Sequence, residues 1–90
     1  MDTTIYTFPD RNLLSTHIGK ILKKLRKNQN LKQSDFAYQC QISRNTVSLV
    51  ERGQVCPTFD VIYRMCIVLD ISISDFIYHV ETSINRSLYL

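Results

Sequence analysis

Ninety residues with a net charge of +3 are enough for one small core and too few for a reader domain beside a separate sensor domain, so a single function is expected. The charge is uneven: residues 11–52 carry nine Lys/Arg against two Asp/Glu and residues 53–90 two against four, which suits a polyanion on one face and leaves the other for protein contacts. Three cysteines at spacings of sixteen and ten, with no Cys-x-x-Cys and no segment of signal-peptide or membrane-span character, argue against a disulfide framework, a zinc site and a membrane partner; a cytoplasmic protein without metal or cofactor is expected.

Residues 1–12 read as an N-terminal arm. Thr3, Thr4, Ile5, Tyr6, Thr7 and Phe8 before Pro9 favour extended backbone, either as an unpartnered terminus or paired with another chain or the tail. From Leu13 or Leu14 to about Asn28 the apolar positions Leu14, Ile18, Ile21, Leu22 and Leu25 repeat at three and four, which predicts a helix that Asp10 or Asn12 can cap. Its exposed side holds Lys20, Lys23, Lys24 and Lys27, either a solvated face or a source of one or two phosphate contacts. Asn28-Gln29-Asn30 marks the stop.

Two short helical patterns follow, about Lys32–Cys40 and Ser43 to Arg52. Phe36, Ala37, Cys40, Ile42, Val47 and Val50 fall where two short helices need apolar or small residues to pack at a steep angle. The polar residues that open the second of them then face outward together. Gly53 is placed as the left-handed residue that ends that helix. After a loop to Pro57, Thr58 can cap a fourth helix with apolar positions Phe59, Ile62, Met65, Cys66 and Leu69, closing at Asp70-Ile71. Ser72 and Asp75 resemble a capping box that opens a fifth helix through Phe76, Ile77 and Val80. The domain is expected to span residues 13–80. Residues 81–90 form a tail, either extending the fifth helix or making a short strand, with dimerisation as its candidate use. Cys40 and Cys66 lie on apolar faces and are expected as small buried hydrophobes.

The series Arg26, Leu31-Lys32-Gln33, Phe36-Ala37, Ile42-Ser43, Val47 with Val50, Glu51-Arg52-Gly53, Pro57-Thr58 and Leu69 through Phe76-Ile77 resembles the phage-repressor and Cro-like helix-turn-helix regulators, also called the xenobiotic-response-element type. The likeness covers about residues 16–78, and the one-domain controller proteins of restriction-modification systems are similar in length and layout. It implies an all-α, five-helix repressor-like domain that binds double-stranded DNA. Gln33 matches a position that touches the DNA backbone, Arg44 and Asn45 match base-reading positions, and Leu49 a further contact one turn on; Ser43 should cap the recognition helix and can reach a phosphate, with Thr46 and Ser48 beside them. Arg suits guanine, Asn adenine, and Leu49 a thymine methyl. The family pairs the position of Arg26 with that of Glu51, a structural ion pair. Departures are Gln41 and Asp70 where glycine is common, and Lys32 where Ser or Thr usually caps the second helix.

One recognition helix reads few base pairs, so two copies on a pseudo-palindrome are expected. Ile67, Ile73, Ile77, Val80 and Ile84 exceed what one small core needs and are the candidate homodimer surface, unless the tail folds back over them. The expected function is a transcription regulator, repressor-like or activating, whose occupancy follows its own concentration. The alternative is an antitoxin-like module in which DNA binding is subordinate to a partner protein. His17 and His79 lack acid or nucleophile partners at any connecting spacing, and each is expected as a surface or half-buried helical residue; no enzyme is expected.

Overall fold

A computed structural model describes residues 11–89 of the chain. It contains five helices, α1 (Arg11–Asn28), α2 (Gln33–Cys40), α3 (Arg44–Glu51), α4 (Phe59–Val68) and α5 (Ile73–Tyr89), with no strand among the described residues. The sequence expectations for residues 1–10 lie outside the described residues, whereas Asn12 is already helical.

Local chemistry accounts for most helix ends. Ser43, Thr58 and Ser72 stand in the cap positions of α3, α4 and α5, and their hydroxyls accept the backbone N–H of Thr46, Val61 and Asp75 at 3.0, 3.2 and 3.1 Å. Lys32 precedes α2 in extended conformation and supplies no cap bond. Left-handed residues end the helices or follow their caps: Asn30, Gln41 and Asp70 at φ 58, 60 and 56°, and Gly53 at φ 71°. Glycine meets no Cβ penalty there, and Asn and Asp offset it with their short polar side chains. Gln41 does neither. Replacing Gln41 with glycine is therefore expected to raise stability by about 1 kcal/mol in urea unfolding, and an unchanged or lower midpoint would contradict that account.

Packing follows the helical period. Ile18 and Leu22 of α1 meet Phe36, Ala37 and Cys40 of α2, Val47 and Val50 of α3, and Ile62, Met65 and Cys66 of α4 with Leu69 just after it in one buried cluster, which Phe76 and Val80 of α5 complete. Leu14, Ile21 and Leu25 pack around its edge. Helix α2 packs on α3 and α4, α1 on α3 and α5, and α4 on α5. Residues 81–89 continue α5 as helix rather than forming a strand.

Three sequence expectations are corrected. Phe59 was expected in the core but is 66% exposed, because α4 turns its Ile62–Met65–Cys66–Leu69 side inward and leaves the Phe59–Tyr63–Ile67 stripe outside. Val80 was expected between two copies of the chain but is only 4% exposed, because one continuous α5 lays Phe76 and Val80 against the core. His17 is buried rather than at the surface; its Nδ1 lies 2.6 Å from Ser83 Oγ on α5, which ties the first helix to the last.

Burial also decides the thiols. Loss of water around Cys40 pushes its pKa up to about 11, only partly opposed by the nearby Arg64 guanidinium, and burial raises that of Cys66 as well. Both remain thiols at neutral pH. Cys56, in the loop before α4, is exposed.

Candidate functional site

The second of the two short helices presents one polar face. Helix α3 buries Val47, Val50 and Glu51, so the opposite side of a 3.6-residue turn carries Asn45 and Leu49, with Ser48 on its flank and Arg44 beside them at the open first turn. Arg44 and Asn45 are exposed, Ser48 and Leu49 half-buried. Ser43 starts the helix, and its Oγ lies 2.8 Å from the Thr46 hydroxyl besides accepting the Thr46 N–H. That double contact engages Thr46 within the cap, whereas Arg44 and Asn45 project from the first turn without such a tether.

Behind this face sits a buried polar cluster. Arg26 Nε and Nη2 donate to the two carboxylate oxygens of Glu51 at 2.6 and 2.9 Å, and Nη1 donates to the carbonyl of Leu31 at 2.6 Å. The two side chains are 7% and 2% exposed. Gln33 Nε2 adds a third donor to Glu51, 3.0 Å from Oε1. One glutamate near the end of α3 thus holds α1, the turn before α2 and the first residue of α2 together. Bidentate, charge-assisted bonds of this kind fix orientation as well as distance.

The remaining predicted residues fall in separate places. Lys20, Lys23, Lys24 and Lys27 are all exposed along α1, opposite Ile18, Leu22 and Arg26. Of the residues expected at a surface between copies, Ile67 and Ile77 are 65% and 45% exposed, while Ile73 and Ile84 are half-buried against the core. Phe59 and Tyr63, not assigned to that surface from sequence, extend it along α4; their ring centroids are 6.4 Å apart. Their spacing to Ile67, one every four residues, was the available signal, because positions 59, 63 and 67 share a face that Ile62, Met65 and Leu69 do not.

Gly19 is a second residue that sequence reading passed over. A Cβ there would press on the carbonyl oxygen of Val50 and lie 2.9 Å from that of Glu51. The missing side chain is what lets α1 reach the backbone of α3. Glycine inside a helical pattern was the signal, since it weakens a helix unless packing requires it. Gln29 makes a further unexpected link, donating through Nε2 to the carbonyl of Leu69 at 2.6 Å, where α4 ends.

Among the described residues no helix is long and apolar enough to cross a membrane. A family model described as helix-turn-helix matches residues 22–76, a span that contains the Arg26–Glu51 cluster and all of α2, α3 and α4. Among solved structures, the clp gene regulator ClgR from Corynebacterium glutamicum is similar in fold, with TM-score 0.78 and 20% identity over 83% of this chain and 80% of that chain. The restriction-modification controller protein C.AhdI from Aeromonas hydrophila has TM-score 0.66 and 29% identity over 69% and 94% of the two chains. The corresponding values for the controller protein C.Esp1396I are 0.72 and 24%, over 79% and 91%. No curated protein matches the sequence.

Proposed function

Because this chain belongs to the helix-turn-helix family of DNA-binding transcription regulators, we propose that it acts as a homodimer on a pseudo-palindromic operator, with α3 as its recognition helix. The observation that carries this reading is the outward face of α3, where Arg44 and Asn45 are exposed in the first turn while Glu51, near the end of the helix, is locked by Arg26 and Gln33. Arg44 takes a guanine edge, Asn45 an adenine edge, and Leu49 a thymine methyl. Ser43 and the start of α2 at Gln33 face the phosphates. Because the Gln33 side chain is engaged by Glu51, its contact with the DNA backbone is made in a position that the buried cluster sets.

Selection from random DNA, followed by gel shifts, tests the reading directly. The folded protein is expected to prefer a sequence with two half-sites about one helical turn, ~34 Å, apart. Arg44→Ala and Asn45→Ala are each expected to lower discrimination at one base position by ~1–3 kcal/mol and leave the circular-dichroism spectrum unchanged. A protein that selects no sequence would sink the proposal.

The exposed stripe of Phe59, Tyr63 and Ile67, with Ile77 near it on α5, supports a second copy as partner, since contiguous apolar surface beside polar residues marks an association site. Sedimentation of the wild type should show a concentration-dependent dimer, and Ile67→Glu should shift it towards monomer and weaken binding to the full operator more than to a half-site. A variant that stays dimeric would place the interface elsewhere. Occupancy then follows protein concentration through dimerisation, which suits control of its own promoter. The likeness to proteins named restriction-modification controllers agrees with a controller-like, autoregulatory role.

A further inference from the structure

The exposed side of α1 carries one sign of charge. Its eighteen residues include no Asp or Glu, and Lys20, Lys23, Lys24 and Lys27 are all exposed along it. None of the four takes part in an ion pair among the described residues. Lys20 and Lys24, like Lys23 and Lys27, stand one turn apart, where equal charges weaken a helix. Among the described residues no large apolar side chain is exposed on α1, whereas protein interfaces are built round apolar and aromatic anchors and are poor in lysine. This surface is matched to a polyanion rather than to a protein.

The four lysines are not equivalent. Gly19 marks the line along which α1 touches α3, at the carbonyls of Val50 and Glu51. At 3.6 residues per turn, Lys23 lies ~40° round the helix from that line, Lys27 ~80°, Lys20 ~100° and Lys24 ~140°. Val50 and Glu51 are on the inner side of α3, so a duplex read by its outer side lies beyond α3 as seen from α1. The major groove is ~8.5 Å deep and a helix with its side chains ~10–12 Å across. With α3 seated in the groove, the phosphate rims therefore rise nearly to the level of α1, and only side chains near the Gly19 line point that way. Lys23 is also one turn beyond Gly19 towards Arg26, whose guanidinium shares the Glu51 carboxylate with Gln33. The charge of Arg26 is paired there; that of Lys23 is free for a phosphate.

We propose that Lys23 and Lys27 bind phosphates on the rim of the groove that α3 occupies, extending the DNA interface onto α1, while Lys20 and Lys24 stay in solvent. This rests on the reading of α3 as the recognition helix and adds to it a contact that is independent of base sequence. Lys23 and Lys27 hold the duplex without reading it.

Salt titration of binding to a random-sequence duplex, followed by fluorescence anisotropy, tests this, because each phosphate contact adds ~0.9 to the slope of log affinity against log salt. Lys23→Gln/Lys27→Gln is compared with the wild type and with Lys20→Gln/Lys24→Gln, which removes the same charge. The first pair should lower the slope by about two, so that the affinity lost between ~50 and ~200 mM salt becomes about tenfold smaller. The second pair should leave the slope unchanged, and Lys23→Arg/Lys27→Arg, which keeps the charge, should retain it. Circular dichroism checks each fold, and the single Lys→Gln variants should each give about half the change, so the result does not depend on one protein. Equal slopes in all variants would overturn the proposal, and so would equal losses from the two pairs, because overall charge rather than contact would then be at work. If selection finds no operator while Lys23 and Lys27 still set the slope, the operator reading fails and this contact stands. A wild-type chain that binds no duplex overturns both.

Discussion

Arg26→Ala is expected to destabilise the protein by about 3–5 kcal/mol, because it strands the Glu51 carboxylate inside the fold with its charge uncompensated. Arg26 supplies two of the hydrogen bonds that reach this carboxylate and the one that satisfies the Leu31 carbonyl, and Glu51 has no solvent to replace them at 2% side-chain exposure. A loss of that size is a large share of the ~5–15 kcal/mol that holds a small domain folded. The pair itself is a different quantity. Removing both charges with apolar residues of similar volume, Arg26→Met with Glu51→Leu, should cost far less or even stabilise, since two ions need no longer be desolvated. That double variant should nevertheless bind DNA more weakly, because Gln33 loses the acceptor that positions it. Urea unfolding of the single and double variants checks the stability claim; a single-variant loss below about 1 kcal/mol would show that water reaches Glu51 after all.

Gly19→Ala is expected to lose about 2 kcal/mol or more, although alanine is the better helix former by about 1 kcal/mol. The added methyl meets the backbone carbonyls of Val50 and Glu51, which cannot rotate aside as a side-chain tip can. Helix α1 must move off α3, and the movement strains the Arg26–Glu51 geometry about two turns further along α1. Overpacking of a tight contact typically costs ~1–3 kcal/mol, and displacement of a salt-bridged helix pushes it to the upper end. Lys20→Ala, an exposed neighbour in the same helix, is the control and should change little. If thermal unfolding finds Gly19→Ala as stable as the wild type, the close approach of α1 and α3 is softer than the backbone contact implies.

The face of α3 was legible because it depends on residues three or four apart. Ser43 accepts the Thr46 N–H and starts the helix, Val47 and Val50 turn inward, and these two facts place Arg44 in the open first turn and orient Asn45 outward without reference to the rest of the chain. The same holds for Thr58 and Ser72, whose bonds reach only three residues onward, and for Gly53, whose left-handed backbone ends α3. The contacts that hold the site were less legible. Gln33 could be read as a DNA-facing residue, but its hydrogen bond to Glu51 crosses eighteen residues of sequence. His17 and Ser83 are sixty-six apart, and neither carries a local signal that names the other.

Apolar periodicity showed that α4 and α5 are helices, yet not which side of a wide apolar surface is covered. Phe59 and Val80 were equally apolar in sequence and came to opposite ends: Phe59 at the surface, Val80 in the core. By itself the sequence determined the five helical segments, the caps of α3, α4 and α5 and the polar face of α3, because hydrogen bonds and side-chain directions within one or two turns are set by neighbouring residues. Only the tertiary structure decided how α1 reaches α3 at Gly19, what Glu51 holds, and which apolar residues remain uncovered, because burial is a property of the surfaces that distant segments bring together.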